Sequence, residues 1–301
     1  MTSRPALEIR ALREAELPAV HDLVRDAFVV YPPLEGELGV EALAGLLERR
    51  GVDWSASFGA FHEGKLIGAI TTAIDEWPAE HIGAYGALTA VRRGSQRRGV
   101  LTALFDWLKL ALDHREVTQM QIEVRFDDPR ARAAYERLGF DVDRHLFCFE
   151  LPRLQRAQRF IEELRFEVHL GPEAGAAQDR NGALWASFWT LLPAWGGSTW
   201  TVARTPGRVA IEALWLDEVV GYAVLEPEAG ELMQLAVRED LRRRGIGTEL
   251  VRACQEAARR PTLTIDKVDD GDDRGVSVAF FRALGAKLSS VQLEMVLNRV
   301  Y

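Results

Sequence analysis

The stretch VRRGSQRRGVLTAL, Val91 to Leu104, decides the fold, because it returns as VREDLRRRGIGTEL, Val237 to Leu250, 146 residues later. Valine, arginine, the Arg-Arg-Gly core, threonine and leucine all recur in place. At the same offset AYERLGF (Ala134 to Phe140) falls on FFRALGA (Phe280 to Ala286), with Leu138-Gly139 matching Leu284-Gly285. Two matches at one offset point to an internal duplication. Upstream, HEGKLIGAITTA (His62 to Ala73) resembles LDEVVGYAVLE (Leu216 to Glu226), each a short turn entering an apolar, β-branched run, so each reads as a hairpin. Gly68 and Gly221 lie 153 apart, so a loop differs in length between the copies.

The same element order is expected in both copies. A strand (LEIRAL; RFEVHL) leads into helix, hairpin strands follow, and an apolar strand ends at Val91 or Val237. A glycine-bearing turn opens an amphipathic helix (TALFDWLKLALDHR; TELVRACQEAARR). Then come another strand (MQIEVRF; LTIDKV), a short helix ending at Leu-Gly, and a last strand (HLFCFEL; VQLEMVLNRV). This is a mixed-sheet α/β domain present twice. The boundary falls in LPRLQRAQRFIEE, read as a linker helix, which gives domains 1–152 and 153–301.

Composition removes several classes of function. The 301 residues are 48% hydrophobic and 27% charged, with a net charge of -8, and a phosphate-backbone binder needs the opposite sign in clusters, so no nucleic-acid partner is expected. No apolar run of about 20 residues offers a bilayer span, and the charged N-terminus does not read as a signal peptide. Cys148 and Cys254 stand far apart without a CxxC pattern, and the histidines lack ligand spacing, so no metal or disulfide is expected and a cytoplasmic location fits.

The chemistry centres on Arg242-Arg243-Arg244-Gly245-Ile246-Gly247, between a strand and a helix. A helix N-terminus leaves its first N–H groups unpaired and carries partial positive charge, and glycines let backbone approach an anion. A P-loop would need a lysine after its last glycine and a dinucleotide turn a third glycine; neither is present. Val-x4-(Gln/Arg)-x-x-Gly-x-(Gly/Ala), followed by the aromatic-x-x-Leu-Gly helix end, resembles the acetyl-CoA motif of the GNAT N-acetyltransferase superfamily. The arrangement as a whole is similar to mycothiol-synthase-like and enhanced-survival-type tandem acetyltransferases. The resemblance implies two GNAT-like domains, each a mixed, mostly antiparallel twisted sheet flanked by helices with one splayed parallel strand pair. It also implies acetyl-CoA as cosubstrate and a small-molecule amine as acceptor. The backbone at Gln96, Arg97, Arg98, Gly99, Val100 and Leu101, and at Arg242 to Gly247, would hold the pyrophosphate; Thr89, Ala90 and Val91, and Leu235, Ala236 and Val237, would pair with the pantetheine arm. Leu101 departs from the Gly/Ala pattern.

Amine acylation needs a neutral nucleophile and a proton for the departing thiolate. By the resemblance, a tyrosine four residues before the helix-end glycine supplies that proton: Tyr135 in the first copy, replaced by Phe281 in the second. Packing beside Leu138 is the alternative role for Tyr135. Candidate bases are Glu123 and its counterpart Asp266, Glu231, and the pair Glu80 and His81, each also an ordinary exposed strand residue. Trp185 and Trp189, spaced i, i+4, are expected on one helix face. Because Leu101 breaks the glycine pattern of the first copy and Phe281 replaces the phenol in the second, a CoA-binding sensor or interaction protein with decayed catalytic groups is the competing reading.

Overall fold

The structure, a computed structural model, describes residues 7–28, 39–77, 81–155, 160–269, 271 and 275–298. Two compact units separate, one within Met1–Val124, Asp128–Asp143 and Glu294–Tyr301, the other within Arg125–Asp127 and Arg144–Leu293.

In the first unit, β1 (Glu8–Ala11) precedes helices α1 (Leu17–Ala27) and α2 (Val40–Arg50). Strands β2 (Phe58–His62), β3 (Lys65–Trp77) and β4 (His81–Val91) follow, then α3 (Val100–Asp113), β5 (Gln119–Arg125) and α4 (Pro129–Glu136). Strands β1 to β4 pair antiparallel in sequence order, as short connections dictate. Helix α3 crosses over to make β5 parallel to β4, and their pairing covers only Gly83↔Gln119, Ala84↔Met120 and Tyr85↔Gln121. Past Tyr85 the strands splay. Helix α3 buries Val100, Leu104, Phe105, Leu108, Ala111 and Leu112, one face of an amphipathic helix. Its first turn lies so close over β3 that a Cβ on Gly68 would meet Val100 Cγ1 at 2.6 Å.

The second unit repeats this order with β7 (Leu164–Leu170), α5 (Pro172–Ala186), α6 (Thr199–Arg204), β8 (Val209–Trp215), β9 (Glu218–Glu226) and β10 (Glu231–Val237). It continues through α7 (Ile246–Ala257), β11 (Thr262–Asp269), α8 (Val276–Ala283) and β12 (Lys287–Asn298). Its parallel pair, β10 and β11, meets at Glu231↔Thr264 and then splays. Each unit also carries one extra residue in the strand before its glycine turn. Ala87 is left over between Thr71↔Leu88 and Thr72↔Gly86, and Met233 between Leu232↔Leu225 and Gln234↔Val224. These bulges stand 146 residues apart, the offset of the sequence repeat.

The last strands depart from a simple copy. Strand β6 (Asp141–Pro152) ends the first sequence copy, yet it pairs antiparallel with β11 of the second, from Thr262↔Pro152 to Asp269↔Leu146. The end of β12 belongs to the first unit, where Gln119 Nε2 donates to Asn298 Oδ1 at 2.9 Å. The expected linker helix gives way: β6 runs to Pro152, residues 153–155 and 160–163 are not helical, and 156–159 lie outside the described residues. Among the described residues no helix is long and apolar enough to cross a membrane.

Candidate active site

The two glycine turns have one backbone geometry. Arg97 (φ +61°) and Gly99 (φ +81°) in the first unit match Arg243 (φ +65°) and Gly245 (φ +98°) in the second, and each glycine is the N-cap of the following helix. Neither helix has a side-chain cap. The first intrahelical bonds are Ala103 N to Gly99 O (3.0 Å) and Glu249 N to Gly245 O (3.1 Å), so the preceding amides of the first turn point outward. Left-handed residues alternating with ordinary ones turn successive N–H groups toward one concavity, a nest suited to an anion. A Cβ on Gly99 would meet nothing within 4 Å, so the approach is open. The turns are anchored alike: Arg92 N donates to Ile67 O and Arg238 N to Val220 O, both at 2.8 Å. These residues fit a pyrophosphate.

The flanking side chains divide. Arg97, Arg98, Arg243 and Arg244 are exposed, with Arg244 Cζ 5.2 Å from the centre of the Trp215 ring. Gln96 and Arg242 instead turn back onto the strand end: Gln96 Nε2 donates to Val91 O (3.2 Å) and Arg242 Nε to Val237 O (2.9 Å). Val100 and Ile246 are buried under their helices. Gly247 faces Phe280, where a Cβ would come 3.3 Å from Phe280 Cζ. The first copy has the bulk reversed, Leu101 in the turn and Ala134 at the position matching Phe280.

Upstream, Thr89, Ala90 and Val91 pair with Ile70, Ala69 and Gly68 of β3, and Leu235, Ala236 and Val237 with Ala223, Tyr222 and Gly221 of β9. Their other edge faces the splay, where β5 and β11 no longer pair with them. A splay leaves main-chain donors and acceptors for an extended amide-bearing chain.

Glu123 has a partner that the sequence does not announce. Tyr85 Oη donates to Glu123 Oε2 at 2.8 Å, and Tyr85 is 2% exposed. The Arg50 guanidinium of α2 lies 5.7 Å from the Tyr85 ring centre and donates to Ala87 O, the bulge carbonyl, at 2.7 Å. Acid, phenol and guanidinium therefore gather beside the splay. The sheet register makes Glu123 and Asp266 equivalent, each two residues past the last parallel pair. They differ in setting: Asp266 is exposed and lies where the β11–β6 register shifts, next to Lys267 at φ +63°. Glu231 is half-buried at the start of β10; His81 begins β4 exposed, and Glu80 lies outside the described residues.

Tyr135 is buried in the last turn of α4, edge-on to Phe140 at 5.5 Å, and Phe281 is equally buried, packed against Phe280 and Phe149. Both tryptophans reach Tyr222, though not from one helix as expected, because α5 ends at Ala186. Trp185 stacks on Tyr222 at 4.5 Å, while Trp189 Nε1 donates to Tyr222 Oη at 2.6 Å. Burial raises the Tyr222 pKa. Histidine spacing also missed a group formed across two strands: Glu167, His169 and Glu212 bring ligand atoms within 4.8 Å of one another. Glu212 is buried and already bonded by Asn181 (2.7 Å), Trp185 (2.9 Å) and His169 (3.0 Å).

A duplicated mixed sheet, a splayed parallel pair and an uncapped glycine turn in each unit define a tandem N-acetyltransferase fold. The sequence pattern of the acetyltransferase (GNAT) family matches residues 17–140 and 179–286, and the chain belongs to that family. Its fold is similar to a GCN5-related N-acetyltransferase from Sphaerobacter thermophilus (TM-score 0.73, 16% identity, 99% of this chain and 96% of that one). It is also similar to a tandem GNAT protein from the clavulanic acid biosynthesis pathway (0.70, 17%, 97% and 98%) and to a putative acetyltransferase from Pyrococcus horikoshii (0.68, 14%, 98% and 90%). No curated protein matches the chain.

Proposed function

We propose that the protein is an acetyl-CoA-dependent N-acetyltransferase for a small amine, with its chemistry in the first sequence copy, residues 1–152, and CoA binding without comparable turnover in the second, residues 153–301. The observation that carries this is the uncapped turn with left-handed Arg97 and Gly99 ending a strand that splays from β5, beside a buried phenol–carboxylate pair. Acetyl-CoA supplies the activated acyl group. The backbone from Gln96 to Leu101 holds the pyrophosphate, and Thr89 to Val91 pair with the pantetheine amides. Glu123, held by Tyr85, takes the proton of the incoming ammonium, directly or through water, and Tyr135 donates to the departing thiolate. A free thiol has a pKa near 8.5, so a donor helps where water is excluded. An acidic chain with two buried, unpaired cysteines suits a cytoplasmic setting. By the sequence resemblance, mycothiol-synthase-like tandem acetyltransferases offer an analogy for one active and one weak copy.

For the second domain the sensor-like reading is favoured by Phe281, a buried ring where the first has a phenol. The test is thiol release over a panel of amines with two variants. Tyr135→Phe should lower kcat about 10²- to 10⁴-fold while CoA still binds. Gly245→Glu, which puts a side chain and a negative charge on a left-handed anion turn, should leave most activity intact. If Gly245→Glu abolishes turnover and Tyr135→Phe does nothing, the assignment of domains is reversed. CoA binding with no turnover on any amine would make the whole chain a sensor.

A further inference from the structure

Arg242 opens the arginine run of the second turn, where a phosphate ligand is expected, but its side chain works inward. Besides the Nε bond to Val237 O, one terminal nitrogen donates to Thr190 Oγ1 (2.9 Å) and the other to Phe188 O (2.8 Å). Thr190 and Phe188 flank Trp189. From Trp189 the bonds continue: its indole N–H to Tyr222 Oη (2.6 Å), Tyr222 Oη to Gln234 Oε1 (3.1 Å), and Gln234 Nε2 to Gly197 O (2.7 Å). Gln234 follows the bulge residue Met233, and Phe188, Trp185, Tyr222 and Met233 share one buried cluster. One guanidinium thus joins the turn, the loop after α5 and, through that loop, the bulge in β10.

We infer that Arg242 is a positioning residue that couples anion occupancy of the second turn to the Phe188–Thr190 loop. This rests on reading residues 242–247 as a CoA turn. A planar guanidinium bonded through all three nitrogens is a rigid strut, and in the first copy Gln96 makes the strand-end bond without that fork. An anion on the turn backbone lowers the turn's mobility, and the strut passes that ordering to the loop as slower local opening.

The test is amide hydrogen exchange on the intact chain with and without CoA, following peptides over 243–250 and 186–191. In the natural protein CoA should slow exchange in both, by about five-fold or more. Arg242→Gln, which installs the first copy's residue, should keep the protection at 243–250 while that at 186–191 falls below about two-fold. Arg242→Lys should restore part of it. Equal loop protection in Arg242→Gln and the natural protein, or a protected turn with an unprotected loop in the natural protein, overturns the role of Arg242 and leaves the turn reading standing. An unprotected turn at saturating CoA overturns both. If Arg242→Gln does not fold, Arg242→Lys, which keeps the charge and loses the planar fork, is read in its place, and loop protection there equal to that of the natural protein sinks the proposal.

Discussion

Gly247 and Phe280 fit as small against large, and Leu101 with Ala134 reverses the sizes at the matching positions of the first copy. As a motif letter Leu101 departs from the Gly/Ala pattern; as volume it stands opposite a small residue, Ala134, at the position where the second copy has Phe280. Gly247→Leu alone should destabilise the protein by about 1–3 kcal/mol through overpacking. Phe280→Ala alone, which removes a half-buried ring, should cost about 1–3 kcal/mol. Together they should recover at least about 1 kcal/mol relative to the sum, because the residues touch. Urea denaturation of the four proteins checks this, and strict additivity would remove the explanation. The buried thiols give a second expectation at this scale. Burial pushes Cys254 up to about 12 and raises Cys148 as well, so both stay protonated and covered at pH 8. Ellman's reagent should register close to no thiol until denaturant is added, leaving released CoA to be read without background. Tyr85 is the site residue that sequence alone could not supply: its contact with Glu123 spans 38 residues, and nothing local to β4 marks it.

At the scale of elements, the glycine turns were legible because a turn that must place two residues at positive φ before a helix needs a local signature, and Gly99 and Gly245 provide it. Trp189 was misplaced onto a helix because i, i+4 spacing does not say where a helix stops, and α5 stops at Ala186. At the start of α1, Glu16 accepts from Arg13 N (3.0 Å) and from both terminal nitrogens of Arg10 (2.6 and 2.9 Å). The Arg10 bonds are the larger cause holding its carboxyl at about 2, below the ordinary carboxylate range, against a smaller opposing effect of burial. A depressed folded pKa gives stability that is present above about pH 4.3, the unfolded value, and is lost as pH falls toward 2. Glu16→Gln should therefore lose about 1 kcal/mol at pH 7, discounted for Arg10 being one-third exposed, and the gap to the natural protein should close steadily below pH 4.3. Paired denaturation curves from pH 7 to 3 measure it, and a gap independent of pH would show that the charge is not the cause.

For the whole molecule, duplication was visible in the sequence and the destination of the closing strands was not. HLFCFEL and VQLEMVLNRV are both alternating apolar runs, and alternation fixes which face of a strand is buried while leaving its neighbour open. In the second unit β6 covers β11 from Thr262 to Asp269, with Phe149 and Leu151 inside the same core as Ile265, Leu263 and Phe281. A fragment cut at the repeat boundary, residues 153–301, therefore loses a strand and two core side chains, and it exposes the backbone edge of β11 next to a buried apolar face. Exposed edges of this kind pair with other chains. Restoring β6 by starting the fragment at residue 141 returns both the ladder and the core contacts. The expected result is that 153–301 expresses as aggregate or melts without a cooperative transition, whereas 141–301 gives a soluble species with a clear thermal midpoint, compared by size-exclusion chromatography and circular dichroism. If 153–301 alone melts as cooperatively as 141–301, then β6 is dispensable to the second unit and the second sequence copy is a self-sufficient domain.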